Sequence, residues 1–174
     1  VQRCAADDER LFPIYEACQD AGRPCVAHVG REPRSPAYGI DTHAICDASR
    51  VERVLRRFPR LTLVVPHLGA DEFAAYAALL ERHENLWLDT TMVVGGFLPE
   101  VMRPPPDLVR RHASRLLYGT DFPNIPYAWD REVRALVAEP LTAERHHARA
   151  GAQRLTAEQR RALFSGNARR LFGD

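Results

Sequence analysis

Residues 61–69, Leu-Thr-Leu-Val-Val-Pro-His-Leu-Gly, decide the fold class. Leu61 to Val65 is a near-continuous apolar run without polar alternation, the pattern of a strand covered on both faces, as in a parallel sheet. Just upstream, Val51, Val54, Leu55 and Phe58 recur at helical spacing behind a cap at Asp47 or Ser49. Downstream, Phe73, Tyr76, Ala77 and Leu80 make a second helical face, followed by Leu86-Trp87-Leu88 as another apolar strand that runs into Asp89. Helix and buried strand therefore alternate on both sides of the central segment.

The same unit recurs further out. Ile14, Ala17, Cys18 and Ala21 predict a helix with Pro13 in its first turn and Gly22 at its end, and Pro24 to Val29 reads as a buried strand between Gly22 and Gly30. After an irregular stretch containing Pro104, Pro105 and Pro106, a short helix near Asp107–His112 leads to a fourth strand at Leu116-Leu117-Tyr118. Trp129, Val133, Leu136 and Val137 predict the next helix. Thr156-x-x-Gln159 has the form of a capping box, Ser165 to Phe172 closes the chain, and the Arg- and Ala-rich link 142–154 is expected to be exposed and partly helical. This alternation predicts an α/β fold with a parallel sheet, doubly wound or a barrel. A closed (β/α)8 barrel takes eight strands and about 250 residues, so about four βα units plus terminal helices would be its C-terminal half. Because the sequence opens on Val1 and enters regular structure almost at once, residues 1–174 are expected to be a partial barrel domain with its N-terminal strands missing.

Each strand ends in a polar residue: His28, His67, Asp89 and Asp121 in turn, with Gly30, Gly69 and Gly119 beside three of them. In a barrel the C-terminal strand ends converge on one mouth, and imidazoles with carboxylates are the ligand types taken by zinc, manganese or iron. A single histidine before a glycine is more often a hydrogen-bonded structural residue. Four successive polar strand ends are hard to obtain from packing alone. The loop 30–41 is long and polar enough for a substrate lid, and Arg31 or Arg34 could meet a substrate carboxylate, although two solvated arginines explain them equally well. His43 is read as exposed, and His83, His112, His146 and His147 as solvated. Tyr76 and Trp87 are read as core, and Asn167 as a cap or anchor of the last helix.

Four stretches, Val26-Ala-His28-Val-Gly30, Pro66-His67-Leu-Gly69, Tyr118-Gly-Thr-Asp121-Phe-Pro123 and Gly166-Asn167-Ala-Arg-Arg-Leu-Phe172, span nearly the whole chain. In that order they resemble the amidohydrolase-related family of metal-dependent TIM-barrel hydrolases and decarboxylases. The resemblance implies a divalent metal ion, zinc first with manganese or iron as alternatives. It also implies His28 and Asp121 as metal ligands, and His67 and Asp121 as catalytic residues that manage protons. Asp89 matches no family ligand and, with Arg31, is assigned to substrate binding. The family's first-strand H-x-H pair occurs nowhere in this sequence. The implied activity is hydrolysis, with metal-activated water attacking a carbonyl-type carbon. The alternatives are decarboxylation of an aromatic or unsaturated acid, in which the histidine protonates carbon, and a catalytically incompetent half barrel.

Composition removes other classes. The 24 cationic residues are all arginine and are scattered among 23 acidic ones for a net charge of +1, which gives no nucleic-acid footprint. With no lysine, neither a Schiff base nor a carbamylated-lysine metal bridge can form from this segment. Cys4, Cys18, Cys25 and Cys46 lack C-x-x-C spacing and fit a reducing, cytoplasmic setting. No stretch approaches the roughly 18 apolar residues of a membrane span. The expected partner is a small-molecule substrate, and an open half-barrel edge would also favour a homodimer.

Overall fold

The structure is a computed structural model and describes residues 3–31, 39–95, 104–121, 130–137 and 154–173. Its element order is α1 (Phe12–Asp20), β1 (Cys25–Val26), α2 (Thr42–Ile45), α3 (Ala48–Arg57), β2 (Leu63–Val65), α4 (Phe73–Arg82), β3 (Leu86–Asp89), α5 (Pro106–His112), β4 (Leu116–Leu117), α6 (Asp130–Val137), α7 (Ala157–Arg161) and α8 (Asn167–Phe172). The strands form one sheet in the order β1-β2-β3-β4, and the β1–β2 and β2–β3 pairings are parallel. Sequential strands that pair in parallel through intervening helices make this an α/β fold that is part of a (β/α)8 barrel with additional terminal helices. Among the described residues no helix is long and apolar enough to cross a membrane.

The chain divides into two compact units, Val1–Leu88 and Asp89–Asp174. In the first, the core is built where the periodicity places it. Val51, Val54 and Leu55 of α3 are at most 1% exposed, and Asp47 caps that helix by accepting the Ser49 N–H. All three β2 residues are buried, as are Phe73, Tyr76, Leu79 and Leu80 of α4. Each such side chain contributes about 1.5–3 kcal/mol on leaving water.

Two expectations fail in this unit. The expected apolar face of α1 is not the buried one: Ile14 is 54% exposed, and the helix buries Tyr15 instead. The Tyr15 ring lies 5.6 Å from that of Phe58, and its hydroxyl donates to the Ala6 carbonyl at 2.9 Å. A helical stripe displaced by one residue has the same period, so tertiary partners decide which stripe is covered. The strand expected over 24–29 shortens to Cys25–Val26 and is only half covered, with Val26 58% exposed, because among the described residues β1 pairs with β2 alone. Gly22 ends α1 as expected, with φ +62°. Helix α2 was not expected; Asp41 caps it by accepting the His43 N–H at 3.0 Å.

In the second unit, the Thr90 N–H, just past β3, donates to the Leu117 carbonyl of β4 at 3.0 Å. The capping box forms in full: Thr156 and Gln159 each accept from the other's backbone N–H at the start of α7. Helix α7 runs through a single π turn, Ala162–Gly166, into α8. Asn167 is 3% exposed, and its amide donates to the Ala113 and Leu116 carbonyls, both at 2.7 Å. The anchor expected there thus ties α8 to the entry of β4. Helix α6 buries Leu136 as expected, half-buries Val133 and leaves Val137 43% exposed, while Glu132, outside the expected face, is buried too. Trp129 and all but Arg154 of the 142–154 link lie outside the described residues.

Candidate functional site

In the first unit, His28 follows β1 and His67 follows β2, and the parallel register Cys25↔Leu63 and Val26↔Val64 carries the two histidines forward together. Their rings meet, with centroids 4.7 Å apart and planes inclined at 49°. The surroundings differ: His28 is exposed, whereas His67 is half-buried on a turn whose next residues, Leu68 and Gly69, are fully covered. That turn is strained. His67, Leu68, Gly69 and Ala70 have φ of +58°, +52°, +77° and +58°, a left-handed run that three non-glycine residues enter only at a cost. The Gly69 N–H bonds to the Pro66 carbonyl at 3.0 Å and the Ala70 N–H to the His67 carbonyl at 2.8 Å. Concentrated backbone strain of this kind is a mark of functional turns.

Arg31, three residues past His28, is committed to protein partners. Its Nε donates to the Cys46 carbonyl at 3.2 Å and lies 3.4 Å from Glu72 Oε2, while Nη2 donates to Asp47 Oδ2 at 2.8 Å. Glu72 also accepts the Ala48 N–H at 3.1 Å, so this network joins the strand-end segments that follow His28 and His67 to the start of α3. Burial raises the Glu72 carboxyl above the usual glutamate range, against the pull of Arg31. Hydrogen bonds from Ser49, with Arg31 beside them, hold Asp47 below the usual aspartate range. Sequence reasoning missed Glu72; the residue just before an apolar helical face was its only signal. Of the rest of the expected lid, 32–38 lie outside the described residues, and His43 is half-buried.

In the second unit, Asp89 ends β3 and accepts the Thr91 N–H at 3.0 Å. Gly119 packs against this turn so closely that a Cβ would lie 2.2 Å from Thr91 Oγ1 and 3.4 Å from the Asp89 carboxyl carbon. Asp121, half-buried, follows β4 with φ +54°, so it too sits on a left-handed turn. Glu132, fully buried, accepts the Val94 N–H at 3.1 Å and fixes the segment after Asp89. It escaped sequence reading because a charged residue inside a helix is normally assigned to the solvated face. Two of the other histidines also differ from expectation: His112 is 7% exposed, and the His83 side chain is 14% exposed and lies 3.7 Å from Glu52. No cysteine is disulfide-bonded, and burial, with Cys18 beside it, pushes the Cys25 thiol up to about 11, which leaves it protonated at neutral pH.

The donor chemistry bears on a metal. Two imidazoles in contact after adjacent strands supply the borderline nitrogen donors that zinc, manganese and iron accept. Among the described residues, no group of three or more His, Cys, Asp or Glu side chains is gathered closely enough to hold an ion. The histidine pair therefore suits part of a ligand set.

The profile of the amidohydrolase family matches residues 3–173. The chain belongs to that family. Among solved structures, it is similar to a TIM-barrel protein from Bordetella bronchiseptica at 23% identity and a TM-score of 0.66, covering 96% of this chain and 51% of that one. It is also similar to 5-carboxyvanillate decarboxylase from Sphingomonas paucimobilis, at 16% identity and a TM-score of 0.56, covering 99% of this chain and 56% of that one. Among curated proteins it resembles dihydroorotase of Leptothrix cholodnii, 29% identical over 119 residues, or 63% of this chain and 33% of that protein. The chain thus spans about half the length of the structures and a third of the curated relative that it matches.

Proposed function

We propose that this chain supplies the C-terminal part of a metal-dependent hydrolase site, in which His28 and Asp121 hold a divalent ion, zinc foremost, and His67 moves protons. The contact between the His28 and His67 rings carries the reading. When bound, the ion would supply Lewis-acid polarisation of a scissile carbonyl and of the attacking water. A ring nitrogen of His67 takes the proton from that water and returns it to the leaving group, and the strained turn beneath it keeps the imidazole beside His28. Asp121 is the alternative group for this step: either it or His67, not both, takes the water proton and passes it to the leaving group. Substrate binding falls to Arg31 and Asp89. With Arg31 Nε and Nη2 engaged by Cys46, Asp47 and Glu72, its Nη1 is the nitrogen assigned to a substrate carboxylate.

The likeness to 5-carboxyvanillate decarboxylase supports a second reading, with His67 protonating the carbon that loses carbon dioxide. Release of carbon dioxide from an aromatic acid without water uptake selects decarboxylation; water uptake with cleavage of an amide or ester selects hydrolysis. The site itself is tested by zinc calorimetry on the chain. Binding is expected to be weaker than nanomolar, because a zinc site is completed by three or four ligands, and to fall further in His28→Ala and Asp121→Asn. Affinity unaffected by either change would overturn the assignment, and nanomolar binding would contradict the partial ligand set. Complete absence of binding would favour an inactive half barrel.

A further inference from the structure

We propose that Tyr76 is a positioning residue for the His28–His67 pair, acting through a stack of backbone on backbone on ring: Gly30 on Gly69 on Tyr76. The inference rests on the reading of that pair as the metal-facing part of the site. The two histidines follow different strands, and besides the Arg31–Glu72 tie the segments after them meet backbone to backbone.

The glycines supply the missing link. A Cβ on Gly30 would lie 3.0 Å from the Gly69 carbonyl carbon and 3.2 Å from its α-carbon and its oxygen, so the turn after His28 rests directly on the turn after His67. A Cβ on Gly69 would lie 2.1, 2.3 and 2.5 Å from Cδ2, Cε2 and Cγ of Tyr76, so the tyrosine ring fills the space a Gly69 side chain would need. Gly69 thus meets both the Gly30 backbone and the Tyr76 ring, within the positive-φ run from His67 to Ala70. Strained backbone persists where its surroundings over-determine it, and here the ring is the rigid wall.

The wall itself is firmly set. Tyr76 is 0% exposed in the first turn of α4, where its N–H donates to the Glu72 carbonyl at 3.0 Å. The buried hydroxyl has no hydrogen-bond partner among the described residues, so packing of the ring, rather than a polar tie, places it. Through the Arg31 network, Glu72 braces the same start of α4 against the segment following His28. A sequence reading that assigns Tyr76 to the core is right about its burial and silent about what it supports.

The experiment is proton NMR of the histidine rings on the chain, with zinc titrated afterwards. Tyr76→Phe keeps the ring and is expected to keep the wild-type His28–His67 ring-to-ring Overhauser effect. Tyr76→Leu removes the flat wall, and Gly30→Ala drives a methyl into the Gly69 backbone. Both are expected to lose that effect and to weaken zinc binding about tenfold, as loss of a residue supporting a ligand does. Gly22→Ala is the control: its φ is +62° but nothing lies within 4 Å, so it should lower stability and leave the ring pair intact. A folded Tyr76→Leu or Gly30→Ala chain with the wild-type ring contact would overturn the proposal. Should Tyr76→Leu fail to fold, Gly30→Ala decides alone. Loss of the ring contact with zinc affinity unchanged would uphold the positioning role and sink the metal reading instead.

Discussion

Strands β1 and β2 pair with each other and each delivers one histidine, yet they are built in opposite ways. β2 is covered on all sides: its residues are at most 2% exposed, and its turn is clasped by Tyr76. Among the described residues β1 pairs with β2 alone, with Val26 58% exposed, and ion pairs lie around it. Asp7 bonds Arg50 and Arg53 at 2.9 and 2.6 Å, Asp20 meets Arg60 at 3.0 Å, and Arg31 bridges to Asp47. The His67 turn is thus enclosed by buried packing, whereas the strand before His28 is more exposed and is set among ion pairs.

The largest expected effect comes from breaking the clasp. Gly69→Ala adds overpacking against Tyr76, about 1–3 kcal/mol, to the cost of a left-handed alanine, about 1–2 kcal/mol; with so short a contact, a loss near 4 kcal/mol is expected from urea unfolding. A loss under 1 kcal/mol would mean that the turn is not clasped. Next, Leu63→Ala in β2 should cost about 3 kcal/mol, while Val26→Ala in β1 should stay within about 0.5 kcal/mol. Equal losses would erase the contrast between the strands.

Arg31→Ala should cost about 1–3 kcal/mol at neutral pH by stranding two carboxylates, one of them the half-buried Glu72. Because burial already raises the Glu72 pKa in the folded chain, a proton on Glu72 favours folding, and without Arg31 that preference grows. The loss in Arg31→Ala should therefore shrink as pH falls through the glutamate range; a loss that grows on acidification would refute the network. The smallest effect belongs to Asp7→Asn, about 0.5–1 kcal/mol. Although burial opposes it, hydrogen bonding to Arg50 and Arg53 lowers the Asp7 pKa, so its contribution is present above the ordinary value of 3.8 and lost as pH falls through the lower folded value. Wild type and variant should converge in acid, which pH-dependent thermal melts would check.

The strands and their polar ends were legible because both signals are local: apolar runs such as Leu63–Val65, and Gly beside His28, His67 and Asp121. Caps were legible for the same reason at Asp47 and Thr156. Helix faces were less so. Tyr15 rather than Ile14 is buried on α1, and Glu132 rather than Val137 on α6, because a helical period tells the width of a stripe and its partners choose which stripe is covered. Tyr76 was legible as core, but its contact with Gly69 was not, since the left-handed run at 67–70 is encoded by no glycine pattern beyond Gly69 itself.

The most direct test follows the ring protons of His28 and His67 by NMR while zinc is added to the chain. Both should respond together, and the response should vanish in His28→Ala. If zinc binds while both rings stay unperturbed, the histidine pair is not the metal-facing part of the site, and the proposed function fails.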